Sequence, residues 1–195
     1  MNNYPEYVEI NNKKYKINTD FRVAIKCNEV AQDDTIGDFE RSLAIIYLLY
    51  GDEGLNHNED YEKLILLAKK YLSCGKEITD NSKEKPDMDY VEDMDYIEAS
   101  FMSDYHIDLC NTQMHWWKFY NLMNGLSNSE LGNCCVLNRI RNLRNLDEKE
   151  IKDSKERQKI IKAKKQVELK KYNKEVSLTK EQKESMERFN AIVGI

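Results

Sequence analysis

The chain has 195 residues, 41% hydrophobic and 33% charged, with two prolines, seven glycines and a formal net charge of −5. This is enough for one domain with a real core plus an appendage, and the scarcity of helix breakers points to a helix-rich protein with much exposed charge. The longest apolar run, Leu43 to Tyr50, falls far short of the roughly 20 residues of a membrane span, and no apolar stretch follows a basic start in the first thirty residues, so the cytoplasm is the expected compartment.

Residues 7 to 17, YVEINNKKYKI, read as two short strands. Val8 and Ile10 share a face, as do Tyr15 and Ile17, with Asn11 to Lys14 as the turn. Thr19 or Asp20 is placed to cap a helix in which Phe21, Ala24, Ile25, Asn28 and Val30 recur near helical spacing. Asp34-Thr35 and Gly37-Asp38 punctuate the next start; FERSLAIIYLLYG is the most apolar helix, expected to be central and to end at Gly51. Asn58 or Asp60 then caps EDYEKLILLAKKYLSCG, whose stripe is Tyr61, Leu64, Ile65, Ala68, Tyr71 and Leu72 and whose stop is Gly75.

Residues 76 to 86, KEITDNSKEKP, are polar and aperiodic and read as a mobile connector. A tandem hexapeptide follows, DMDYVE at 87 to 92 and DMDYIE at 93 to 98, the second copy running into a helix from Asp95 to about His106. Its acidic start suits the positive end of the helix dipole. The stretch QMHWWKFYNLMNGLS, 113 to 127, forms the next helix, with Gly125 as its stop. On a helical wheel Trp116, Tyr120 and Met123 lie together, Phe119 lies beside them and Trp117 extends the surface toward Met114, so apolar groups cover well over half the circumference. Such a helix is buried within its own domain or shared between the core and a subunit interface, which makes Trp116, Trp117, Phe119, Tyr120 and Met123 the candidate core or partner anchors.

Ser127 and Glu130 have the spacing of a capping box for a helix through VLNRIRNLRN. Asp147 is placed to cap a long lysine-rich helix, EKEIKDSKERQKIIKAKKQVELKKYNK, with Glu148/Lys152 and Asp153/Arg157 at i,i+4 and a thin stripe of Ile160, Ala163 and Val167. That helix projects into solvent or rests on a partner. Thr179 starts a short terminal helix. The reading is a mainly α protein: a helical domain with a short N-terminal β-hairpin over 1–145 and a lysine-rich helical extension over 146–195.

Chemistry is sparse. Five cysteines without CxxC spacing argue against a disulfide framework and a zinc site, and Cys134 and Cys135 would point about 100° apart on a helix. Cys110 and His115 are the sharpest catalytic pairing, yet no HExxH, GxSxG or phosphate-binding glycine motif accompanies any histidine. The DMD pairs lack the glycine and glutamate of a calcium loop and read as a solvated helix start. No catalytic residue, cofactor or metal is expected. Residues 1 to 110 hold 12 basic against 24 acidic side chains, and residues 111 to 195 hold 18 against 11. This polarity suits a basic end on nucleic acid, or the acidic half of one copy on the basic half of the next. Arg139, Arg141 and Arg144 open a basic segment, 139 to 174, that either tracks phosphates or meets an acidic partner; its single aromatic, Tyr172, leaves little for base stacking.

The order VEINNKKYKINTDFRVAIKC, ERSLAIIYLLYGD, DYIEASFMSDYHIDL, then MHWWKFYNLMNGL followed by NRIRN, resembles over about residues 6 to 150 the phage protein family named for gene product fifteen. The INTDFR opening and the HWWKF segment are its most specific parts. The resemblance implies a tail assembly chaperone that is not an enzyme. Several copies would self-associate, coat the tape measure protein and recruit tail tube protein around it in the host cytoplasm, leaving before the virion is complete. A structural tail subunit and a nucleic-acid-binding accessory protein are the alternatives. The extra DMDYVE copy departs from the family's pattern, so the resemblance assigns it no role.

Overall fold

A computed structural model describes residues 4–56, 58–77, 85–129 and 134–172. The chain opens with an antiparallel hairpin, β1 (Tyr7–Ile10) and β2 (Lys13–Lys16), in which Val8 faces Tyr15 and Glu9 faces Lys14. The turn is shorter than the four residues expected. Asn11 and Asn12 take φ of 50° and 65°, the left-handed pair that a two-residue type I′ turn requires, and Lys13 and Lys14 belong to the strand.

Seven α-helices follow among the described residues: α1 (Phe21–Ala31), α2 (Asp38–Leu55), α3 (Tyr61–Leu72), α4 (Met94–Tyr105), α5 (Trp116–Asn124), α6 (Val136–Asn145) and α7 (Ser154–Gln166). The mainly α class with an N-terminal hairpin stands. Asp20, rather than Thr19, caps α1, its carboxylate accepting from the Arg22 amide at 2.9 Å. In α2 the chain breaks at Gly51, as expected, with φ 65° and ψ −160°, and one more turn carries it to Leu55. That backbone region is essentially glycine's.

Asp60 occupies the N-cap position of α3 without capping it. Its carboxylate accepts instead from the Tyr15 hydroxyl at 2.7 Å and from Asn11 Nδ2 at 3.3 Å, which ties the hairpin to the helical body. Burial, reinforced by that carboxylate, pushes the Tyr15 hydroxyl up to about 12.

One apolar core runs through the molecule. It joins Tyr15 of β2, Phe21 and Ala24 of α1, Ile46 and Leu49 of α2, Leu64 and Ala68 of α3, Ile97 and Phe101 of α4, and Trp116 and Phe119 of α5, all fully buried. Each large apolar side chain in it contributes about 1.5–3 kcal/mol. Helix α2 packs on α1 and α3, α1 also meets α5, and α4 packs on α6. No helix among the described residues is long and apolar enough to cross a membrane.

Three local expectations are corrected. The capping box does not form on Ser127, because Cys135 caps α6 and Ser127 lies eight residues ahead of it. The Ser127 carbonyl accepts from the Cys135 amide at 3.0 Å, and its own amide donates to Asp104 at 2.8 Å; Glu130 lies outside the described residues. Cys134 is not helical either, since it pairs with Asn128 in an isolated β-bridge. The long lysine-rich helix is broken. Asp147 caps only a short 3-10 turn, Glu148–Glu150, and Asp153 caps α7. Aspartates followed by extended residues compete with a continuous helix by binding nearby amides. The expected Asp153/Arg157 and Glu148/Lys152 pairs give way accordingly: Arg157 donates to the Ile151 carbonyl and Glu148 takes Lys164 at 2.7 Å. Most of the expected connector, the Thr179 start and His57 lie outside the described residues. All five cysteines are free.

Candidate interaction site

The aromatic helix is fixed from its first residue. Residues 114 to 116 pair with residues 19 to 21, the Trp116 amide donating to the Thr19 carbonyl at 2.8 Å and the Phe21 amide to the Met114 carbonyl at 3.0 Å. His115 caps α5: its Nδ1 accepts from the Trp117 amide at 3.0 Å, so the ring proton sits on Nε2, 3.1 Å from the Pro5 carbonyl.

Adjacent tryptophans then perform one task in two places. Trp116 Nε1 donates to the Leu72 carbonyl at 3.0 Å and Trp117 Nε1 to the Tyr71 carbonyl at 2.9 Å. These are the last two carbonyls of α3; that of Leu72 has no backbone donor, and that of Tyr71 also accepts from the Cys74 amide at 3.0 Å. The double tryptophan is a C-terminal cap supplied from another helix. Around it the rings stack: Phe119 lies 4.5 Å from Phe21 and 5.2 Å from Phe101, with interplanar angles of 12° and 14°, and 5.8 Å from Trp116. Trp116, Phe119 and Met123 are buried, while Trp117 and Tyr120 are half-buried, Trp117 against Tyr71 and Tyr120 beneath the Lys76 ammonium.

The acidic hexapeptides meet the arginines of α6. Arg141 binds the first copy through Asp87, with Nη2 3.0 Å from Oδ2. Arg144 binds the second through Asp93, Nη1 and Nη2 each 2.7 Å from a carboxylate oxygen. The same guanidinium donates to the Asp87 carbonyl at 2.9 Å and to the Val167 carbonyl at 2.6 Å. Asp93 is 1% exposed, so this is a buried, bidentate pair. Of the three candidate arginines Arg139 is exposed, whereas Arg141 and Arg144 are partly buried in these ion pairs.

The first hexapeptide has further work. Tyr90 packs edge-on to Trp116 at 5.7 Å, and burial pushes its hydroxyl up to about 12. The Asp89 carboxylate accepts from the amides of Val91 and Glu92 at 2.8 and 3.0 Å. Burial alone would raise its pKa, but those amides, the Lys171 charge and the Tyr172 hydroxyl outweigh it and hold the carboxyl below its ordinary value.

Residues 146–172 fold back onto this surface, so the extension rests on its own chain. The amides of Lys170 and Lys171 donate to the two Glu92 carboxylate oxygens at 2.8 and 2.7 Å. Tyr172 donates to Asp89 at 3.2 Å and contacts Gln32 at 3.0 Å, and Lys171 Nζ lies 3.6 Å from Asp89. Sequence reasoning missed Glu92, Asp93 and Gln32. The hexapeptide repeat marked the acidic members, but nothing local pairs them with residues 51 to 140 positions away.

The remaining candidates are dispersed. Cys110 Sγ lies 3.2 Å from Glu98, whose carboxylate holds the thiol pKa up, while both His115 nitrogens are engaged as described, so the two are not a dyad. Among the described residues no three His, Cys, Asp or Glu side chains converge as a metal site.

The fold and this surface define a small helical protein whose aromatic helix is locked in the core and whose basic arm lies on an acidic repeat. The family model described as Bacteriophage Gp15 protein matches residues 1–169, and the chain belongs to that family. The match takes in the arm as far as Leu169, beyond the motifs that carried the resemblance. No curated protein and no solved structure shows a match to the chain.

Proposed function

We propose that this phage protein is a tail assembly chaperone, a non-enzymatic factor that self-associates in the host cytoplasm and keeps the tape measure protein soluble while tail tube protein assembles around it. Family membership over residues 1–169 carries the reading. The charge polarity of the chain favours contacts between copies, and modest affinity per copy with avidity from many would allow release as the tube grows. The internal pairing of Arg141, Arg144, Lys164 and Lys171 with carboxylates of the same chain favours a protein partner over nucleic acid, because fewer cations of the 139 to 174 segment are left to neutralise phosphates.

Co-expression with a fragment of the tape measure protein tests it. The fragment is expected in the soluble fraction with the chaperone bound, and to aggregate without it. A fragment that stays insoluble in the presence of excess, folded protein refutes the reading.

A further inference from the structure

The acidic surface of the first hexapeptide is a docking site, because a peptide is docked on it: the end of the chain's own arm. The hold is mostly polar. Glu92 accepts two main-chain amides, Asp89 takes Lys171 and Tyr172, and Gln32 takes Lys171 and Tyr172. Leu169, at 5% exposure, is the one side chain buried after Asn138 among the described residues, and it lies outside the main core cluster. Helix α7 buries none. The stretch that joins α6 to α7 is suited to reorientation: Leu146, Ile151 and Asp153 are extended on either side of a single 3-10 turn. It is tied to α7 through Lys164, which reaches Glu148 and the Leu146 carbonyl, and through Arg157 on the Ile151 carbonyl; the Lys164 and Glu148 side chains are 26% and 37% exposed, and exposed pairs of this kind hold weakly. The body also holds the arm through Arg144, whose Nε donates to the Val167 carbonyl at 2.6 Å.

We infer that the arm is exchangeable, and that residues 154–172 of one copy dock on Gln32, Asp89 and Glu92 of a second copy through the contacts they make within one chain. The docking contacts, including the Arg144 bond to the Val167 carbonyl, each have a counterpart between copies, so exchange trades an intramolecular for an intermolecular version of the same interface, the low-cost route of domain swapping. Charge complementarity supports this occupant: a lysine-rich arm, with Lys170 and Lys171 at its tip, meets Asp89 and Glu92. Docking within one chain prevails in dilute protein and exchange prevails as copies concentrate, for instance along a shared client. Passed one way, the contact is heterologous and runs on from copy to copy. The inference rests on the self-association in the proposed function and names the surface responsible.

Two full-length variants test it by mass measurement in solution. Glu92→Lys keeps a competent arm and loses the dock; Lys171→Glu keeps the dock and places a carboxylate in the arm against Asp89 and Glu92, with Leu169→Asp as a second arm variant. Both Glu92 and Lys171 lie at the surface, and circular dichroism verifies that each variant is folded. The wild type is expected to grow with concentration and to shrink with salt. Each variant alone should be monomeric, and an equimolar mixture of a dock variant with an arm variant should form a one-to-one pair. If the variants alone associate as the wild type does, arm exchange is wrong and self-association stands. A wild type that stays monomeric at every concentration overturns both. A mixture that stays monomeric although each variant is blocked confines the arm to its own chain and overturns the exchange.

Discussion

Replacing Arg144 by alanine should cost more than any other single surface-accessible change in this protein. The side chain is only 11% exposed, and its fork makes four hydrogen bonds, two to Asp93 and one each to the carbonyls of Asp87 and Val167. Without it Asp93, at 1% exposure, retains a single donor, the Asp89 amide at 3.1 Å. A buried charge stripped of its partner costs about 3–5 kcal/mol, and the two orphaned carbonyls place Arg144→Ala toward the upper end. Arg144→Lys keeps the charge but one ammonium cannot serve both carboxylate oxygens and both carbonyls, so it should lose about half as much. The double replacement of Arg144 by methionine and Asp93 by leucine removes both charges and should recover most of the loss. Urea unfolding followed by tryptophan fluorescence, extrapolated linearly to water, measures all of these. A loss below about 1 kcal/mol for Arg144→Ala, the level of an exposed pair, would refute the buried clamp.

Trp116→Phe keeps a ring but deletes the donor to the Leu72 carbonyl, leaving it unpaired, and should cost about 1–3 kcal/mol; Trp117→Phe should cost less, because the Tyr71 carbonyl keeps the Cys74 amide at 3.0 Å; Trp116→Ala, which also empties a 1% exposed site, should cost about 3–5 kcal/mol. The lowered pKa of Asp89 makes the arm acid-sensitive: a carboxyl held lower in the folded state than in the unfolded chain stabilises above about pH 4 and loses that contribution as pH falls through its folded value. NMR shifts of the Lys170 and Lys171 amides should therefore move in that range, and Asp89→Asn should reduce the movement. Burial lifts the Cys27 thiol to about 12, so in the native protein at pH 8 Cys27 should resist alkylation while the exposed Cys110 reacts; equal labelling of both, read by peptide mass, would contradict the buried placement.

What was legible in the sequence is what is local. Asp20 as a cap, Gly51 as the break in α2 and His106 as the end of α4 each follow from a residue's own backbone preferences. Burial of Trp116 and Phe119 followed from periodicity alone. The misreadings share one cause: a short polar side chain satisfies whichever partner the tertiary fold brings near. Asp60 stands where a cap belongs and binds Tyr15, 45 positions away, and Asp153 caps a new helix instead of pairing with Arg157. The indole bonds to α3 span 44 and 46 positions, and no pattern within a helix encodes them.

The duplicated hexapeptide is the case where sequence repetition and structural repetition part. Two copies in one continuous helix would set Asp87 and Asp93 about 120° apart, since six residues turn the helix by about 600°. They could not both face α6. The chain solves this by making the first copy a turn, with Asp89 closing it on the amides of Val91 and Glu92, and letting the second enter α4. Both leading aspartates then reach one face of α6, where Arg141 and Arg144 sit three residues apart, side by side on the helix surface. The turn also turns Tyr90 onto Trp116 and presents Glu92 to the arm. The first hexapeptide thus links the aromatic core, the arginine helix and the basic arm. Deleting residues 87–92 should therefore release the arm and loosen the packing around Trp116 together, whereas a mere solvated spacer would leave both intact.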